Sequence, residues 1–206
     1  MIMFSDVVIP ENNEKEFLEV ASRLGIKKIY FLYDFDEYDK QRLAGLGLID
    51  KKIRIEFGFI VNQKNFKKAI NHSRFLVAKS SDKDRFFIES NKIKMIYGFE
   101  ELHKRDYLHQ RASGLNHIIC EIARQNNVAV GFSYSSLLGK SEQTSSLIIG
   151  RIMQNIRMCQ KYKVKTIIGS FSHKPFELRA PHDMITLFNL LGMDGKIAKD
   201  SLDYRL

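Results

Sequence analysis

The sequence predicts an α/β fold in which parallel strands, joined by helical crossovers, close into a small and incomplete barrel. Three observations point there. Short apolar runs alternate with stretches of helical period along the whole chain, which demands parallel strands with helices between them. Continuous apolar runs such as Val128-Ala129-Val130-Gly131-Phe132 mean strands covered on both faces. Seven such runs favour closure over an open doubly wound sheet. A full barrel of this kind takes about 250 residues, and 206 residues leave the eighth strand missing or reduced within residues 195–206. With no Gly/Ser/Pro-rich linker, low-complexity tract or internal repeat, one α/β barrel domain over residues 1–206 is expected.

The elements follow in order. A strand over 3–9 leads to a helix that Asn13 can cap, with Glu16 at the third position and Gly25 as its stop. Phe17, Leu18, Ala21 and Leu24 make its apolar face. A strand over 26–33 ends in the acidic run Asp34, Asp36, Glu37 and Asp39. The next, over 53–61, precedes a helix faced by Phe66, Ala69 and Ile70, and strands over 75–78 and 93–99 follow. Leu115, Ile118, Ile119 and Ile122 define a helix with Ser113 as its cap and Asn126 and Asn127 as its end. A strand over 128–134 feeds a longer helix striped by Ile148, Ile152, Ile156 and Cys159. After the last strand, over 166–170, Pro181 suits a first helical position, Asp183 complements the helix dipole, and Gly192 follows Leu187, Phe188 and Leu191.

Composition narrows the functional classes. Lysine and arginine number 33 against 24 aspartates and glutamates, a net charge of +9, which favours an anionic partner without speaking to fold. Cys120 and Cys159 sit at apolar helical positions and read as small buried hydrophobes, in keeping with a reducing cytoplasm. No apolar run approaches the ~18–20 residues of a membrane span, and the N-terminus lacks the pattern of a secretory signal. A cytoplasmic location away from membranes is expected.

In such a barrel the working groups stand in loops after the carboxyl ends of strands. The acidic loop after the second strand reads as solvated and dipole-complementing rather than as a cation site. After the fifth strand come Glu100, Glu101, His103, Arg105, Asp106, His109 and Arg111, with no spacing that fixes a metal. The six histidines form no HxH pair and no HExxH helix. His117, beside apolar residues, reads as a partly buried structural histidine. No Walker loop, dinucleotide fingerprint or nucleophile elbow occurs.

What is left is cationic. Arginine matches phosphate oxygens with a planar fork and lysine adds a mobile charge. Arg111 lies two residues before the expected cap Ser113, where free N–H groups of a helix start would reinforce anion binding. Lys174 and Arg179 bracket the loop before Pro181, and Lys79, Arg85, Lys140 and Arg105 could extend the same positive face. The plain alternative is an ion pair within each loop, Arg105 with Asp106 or Arg179 with Glu177. A rival reading is a metal-dependent phosphoesterase using Asp34, Asp36, Glu56, Glu100 or His103; a third is a protein-binding scaffold without RNA affinity.

The segments RASGLNHIICEIARQNNVAVGFSYSSLL at 111–138 and TIIGSFSHKPFELRAPHDMITLFNLLGM at 166–193 resemble the archaeal ribonuclease P protein component 3 family, whose eukaryotic relatives are a roughly thirty-kilodalton subunit of that ribonucleoprotein. A G-x-N/D-H helix start, a V-A-x-G-F strand and a strand-loop-R-x-P-x-D-helix element occur together in the family's order. The resemblance implies a modified, incomplete TIM-like barrel related to the polymerase-and-histidinol-phosphatase barrel but without its metal-ligand histidines. It implies that the chain has no catalytic residue or metal of its own. The ribonuclease P RNA, carrying the Mg²⁺, would remove the 5′ leader of precursor tRNA, and protein component 2 and the other protein subunits would be partners. By position, Arg111 and Arg179 would face RNA. The sequence departs from the family pattern at Phe4-Ser5-Asp6 and at Gly169-Ser170-Phe171-Ser172.

Overall fold

The structure is a computed structural model and describes residues 3–38 and 53–204. Strands β1 (Ser5–Val8), β2 (Lys28–Asp34), β3 (Arg54–Val61), β4 (Leu76–Lys79), β5 (Met95–Tyr97), β6 (Ala129–Ser133) and β7 (Thr166–Gly169) form one sheet, all neighbours parallel and in sequence order. The ends of the sheet meet beyond β1 and β7. Phe171 N donates to Val7 O at 2.7 Å, Ile9 N donates to Ser172 O at 2.9 Å, and Val8 and Ser172 form a parallel bridge. The result is the expected barrel, a TIM-like one a strand short. The strands begin and end at most two residues inside the expected apolar runs, except that β2 and β4 run one residue further, to Asp34 and Lys79.

Apart from β3, whose first half is partly exposed, the strands are buried on both sides because they lie between two cores. Val7, Tyr30, Leu32, Val77, Met95, Tyr97, Ala129 and Ile167 fill the barrel with Phe171 and Tyr204. Their neighbours Val8, Ile29, Phe31, Leu76, Ala78, Ile96, Val130 and Ile168 pack into the layer under the helices. That layer is closed by α1 (Glu14–Arg23), α2 (Phe66–His72), α3 (Asp84–Glu89), α4 (His117–Gln125), α5 (Glu142–Tyr162), α6 (Pro181–Leu190) and α7 (Gly195–Asp200). The stripe Ile148, Ile152, Ile156 and Cys159 of α5 is fully buried, and burial pushes the Cys120 thiol up to about 12.

Two helix expectations are corrected. The start of α4 is Asn116, whose Oδ1 accepts from Ile119 N at 2.9 Å, and not Ser113. Gly114 at φ +80° presses on the carbonyl of Phe99, so the chain at Ser113 is still wrapped against the preceding loop. Starting later also turns His117 and Ile118 outward: His117 is exposed rather than a buried structural histidine, and Ile118 leaves the apolar face. Asn13 does stand at the start of α1, but its side chain donates to His173 O at 2.9 Å and accepts from Glu11 N, so it ties two loops instead of capping.

The place of an eighth strand is taken by the tail after α7. Ser5 N donates to Leu202 O at 2.7 Å and Ile168 N donates to Ser201 O at 2.9 Å, so the tail hydrogen-bonds to both edge strands at the amino-terminal end of the barrel. Tyr204 then enters the interior and stacks on Tyr30 with centroids 5.1 Å apart. Removing this plug leaves a cavity among side chains that cannot collapse onto it. Tyr204→Ala is expected to lower stability by about 3–5 kcal/mol, read as a fall in the urea midpoint; an unmoved midpoint would show that the tail is not part of the core.

Candidate nucleic-acid interface

The carboxyl-end rim is dominated by the segment between β5 and α4. After a single 3₁₀ turn at Phe99–Glu101 it has no regular structure up to Asn116, a length at which an irregular loop inside a compact fold is usually functional. Its shape is set by Arg151 on α5, whose side chain is buried to 2% exposure. The guanidinium Nη1 donates to Glu100 O at 2.9 Å and His103 O at 2.6 Å, and Nε donates to Asp106 Oδ1 at 2.8 Å. Asp106 Oδ1 also accepts from Ala112 N at 2.9 Å. Burial works against the charge on Asp106, yet the Ala112 amide and Arg151 hold its carboxyl below the usual range. One turn along α5, Asn155 Nδ2 donates to Ser113 O at 2.9 Å.

The expected RNA-facing cations all stand at or near this rim, in two states. Lys79 and Lys140 both reach Glu101, Lys79 at 3.9 Å and Lys140 by a short hydrogen bond, and Arg85 pairs with Glu89 a turn along α3 at 2.7 Å. Arg105, Arg111, Lys174 and Arg179 have no carboxylate within 4.0 Å among the described residues. The in-loop pairings are therefore replaced. Asp106 goes to Arg151, and Glu177 accepts from Ser172 Oγ at 2.6 Å. Arg179 instead lies 5.1 Å from the Tyr134 ring and donates to Phe176 O and Leu178 O. Arg111 donates to Gly150 O at 3.0 Å and lies flat on Gly150, where a Cβ would meet its Cζ at 2.8 Å. The cap expected two residues after it, Ser113, is replaced by Asn116, five residues on, which lines the same cleft as Arg111.

The ligands of the rival phosphoesterase do not gather. Asp34 accepts from Asp36 N and Asp36 from Asn65 Nδ2, both at 2.9 Å, while Glu56 pairs with Arg54 at 2.7 Å. Asp39 lies outside the described residues. Among the described residues no three His, Cys, Asp or Glu side chains are placed to hold a metal ion.

Two buried acids were not legible as such. Burial pushes Glu100 up to about 7; Glu101 adds to the rise, Lys140 and Lys79 oppose it, and both carboxylate oxygens lack a hydrogen bond. Burial also raises Asp6 to about 7, against the amides of Ser170 and Val7 that donate to its Oδ1 at 2.6 and 2.7 Å. The two places where the sequence departs from the family pattern thus touch, and together they stitch β1 to β7.

The fold and rim define a class: a TIM-like barrel one strand short, with an anchored cationic rim at the carboxyl ends of its strands. The family model described as RNase P subunit p30 matches residues 105–205, and the chain is similar to that family. Curated relatives named ribonuclease P protein component 3 include one from Methanocaldococcus jannaschii, 24% identical over 79% of this chain and 72% of that one. Another, from Methanococcus maripaludis, is 25% identical over 94% and 88%. Among solved structures, a chain of the cryo-EM structure of archaeal ribonuclease P with mature tRNA superposes with a TM-score of 0.79 at 16% identity, covering 96% of this chain and 87% of that one. The Aspergillus niger ochratoxinase shares the barrel at 0.59 and 8% identity, covering 98% and 70%.

Arg151→Ala removes the buried partner of Asp106 and of two loop carbonyls. It is expected to cost about 3–5 kcal/mol and to speed hydrogen exchange at the Ala112 amide; unchanged exchange there would deny the anchor. Glu100 gives a pH signature. Its proton is held to about 7 in the folded chain but lost near 4.5 once unfolded, so its contribution to stability is complete at low pH and declines as pH rises through that window. Glu100→Gln escapes the decline, gaining up to about 3 kcal/mol on wild type between acid and mildly alkaline pH. Urea unfolding across the range checks it, and parallel curves would refute it.

Proposed function

We propose that this chain is a protein subunit of ribonuclease P that grips the catalytic RNA and supports removal of the 5′ leader from precursor tRNA. The observation that carries the reading is the set of rim cations with no carboxylate within ion-pair distance among the described residues, Arg105, Arg111, Lys174 and Arg179, on a chain similar to the p30 family. Lys79, Lys140 and Arg85, already shared with Glu101 and Glu89, extend the face. A guanidinium held by backbone carbonyls keeps its charge and its direction, so it meets phosphate without first breaking an ion pair. The whole chain acts as one barrel domain in this reading.

The chemistry belongs to the RNA. The protein binds no cofactor, Mg²⁺ sits on the RNA subunit, and no residue of the chain is catalytic. The partners are the ribonuclease P RNA, precursor tRNA within the holoenzyme, protein component 2 and the other protein subunits. No helix among the described residues is long and apolar enough to cross a membrane, in keeping with work in the cytoplasm. A metal-dependent phosphoesterase finds no support in the scattered carboxylates.

Each neutralised phosphate releases counterions, so affinity for the RNA should fall with salt by a log–log slope of roughly 0.7–0.9 per contact. Arg111→Ala with Arg179→Ala is expected to shallow that slope by about 1.5 and to reduce cleavage stimulation in a holoenzyme reconstituted with the partner protein, with unfolding unchanged. Wild-type stimulation by the double variant would remove the site, and nuclease turnover by the purified chain without RNA would remove the function.

A further inference from the structure

We propose that the tip of the anchored loop is a nucleobase site, where one unpaired base of the bound RNA stacks on Tyr107 and His103 and turns its edge to Gln110 and Gln154. The proposal rests on the RNA-binding reading above and adds to it, because the arginines there account for phosphates and not for bases.

The first observation is what the loop exposes. Tyr107 is 59% and Leu108 91% exposed, at the tip of a segment whose flanks are fixed by Arg151 on one side and by Arg111 and Asn155 on the other. A floppy loop could fold such side chains back onto the surface. This one is held out, so its apolar tip stays wet until a partner covers it. The Tyr107 ring lies 6.2 Å from His103, tilted by 53°, which gives a platform of two rings.

The second observation is the cleft beneath. About 330 Å³ opens between the tip and α4 and α5, lined by His103, Tyr107, Gln110, Arg111, His117 and Gln154 among others. Its volume is at the lower end for ligand sites, right for a base with its ribose and far too small for a duplex. The amides of Gln110 and Gln154 make no hydrogen bond within the described chain, and each offers both donors and an acceptor to a base edge.

The third is charge. Lys104 and Arg105 precede the tip in the chain and Arg111, which lines the cleft, follows it, all three exposed, a local positive charge that suits a nucleotide and its flanking phosphates. RNA is read through unpaired bases splayed onto aromatic or guanidinium planes, since A-form grooves hide base edges. A rim of arginines supplies grip; a ring platform beside it supplies a fixed point along the RNA.

The test uses the complex reconstituted from this chain, its protein partner and the ribonuclease P RNA. Tyr107→Ala should weaken RNA affinity by roughly 5- to 150-fold, the effect of removing an aromatic platform for one base, with an unchanged salt slope. Tyr107→Phe should bind like wild type, because the ring and not the hydroxyl does the stacking. A photo-cross-linking phenylalanine analogue placed at 107 should label one unpaired nucleotide. Tyr107→Ala with wild-type affinity, or a cross-link that lands on the protein partner, overturns the base site while leaving the rim's RNA binding intact. If the wild-type complex itself shows no salt-dependent RNA affinity, the underlying reading falls as well. Thermal unfolding of each variant separates loss of fold from loss of binding.

Discussion

A single buried guanidinium decides the shape of the rim. Arg151 is only 2% exposed, and it offsets part of its desolvation with Asp106 and two backbone carbonyls of one long irregular segment, while its Nη2 finds no partner among the described residues. Its neighbours on α5 finish the job from either side. Gly150 gives Arg111 a flat seat and a carbonyl to bond, and Asn155 takes the carbonyl of Ser113. Barely more than one turn of helix therefore fixes five points between Glu100 and Ser113. Without it the loop would be an ensemble, and cations borne on an ensemble have no geometry to offer a partner.

The same contacts set the electrostatics. Of the carboxylates sequence-adjacent to the rim arginines, Asp106 turns inward to Arg151 and Glu177 is taken by Ser172, while Glu101 serves two lysines. Arg111 and Arg179 are left to carbonyls and, for Arg179, to the face of Tyr134. Nearest-neighbour reading pairs Arg105 with Asp106 and Arg179 with Glu177 because the residues are close along the chain. Packing against a distant helix overrides it, and the outcome is a face with more free positive charge than its local composition suggests.

Strands such as β6 were legible because a strand covered on both faces is an unbroken apolar run whatever its surroundings, whereas β3 carries Arg54 and Glu56 in a half-exposed first half. The missing eighth strand was legible too, though not the tail that replaces it, whose work depends on backbone bonds to β1 and β7 and on one tyrosine. Arg151 and Asn155 escaped notice because a polar residue on an amphipathic helix ordinarily marks the solvated side. Their signal was position. Spaced four apart beside Ile148, Ile152 and Ile156, they lie on the edge of the buried stripe, where a charge must have a partner from elsewhere. The false start at Ser113 has a related cause: a serine before an apolar run is a fair cap, but the bend at Gly114 that keeps the chain on Phe99 leaves no trace at the level of helical period.

The two ends of the barrel are thereby given separate work. At the amino-terminal end the tail and Tyr204 complete the core; at the carboxyl end Arg151 and its neighbours complete the loop. An accessory to an RNA does not need groups poised for proton transfer. It needs a surface whose shape is settled before the RNA arrives, because ordering a long loop and several arginines during association would cancel much of the affinity those arginines provide. Burying an arginine to hold a loop is a costly arrangement if stability is the aim, since a hydrophobic replacement is often as good. It makes sense where the benefit is taken in binding, and that is why the least exposed cation among the described residues governs what the exposed ones can do.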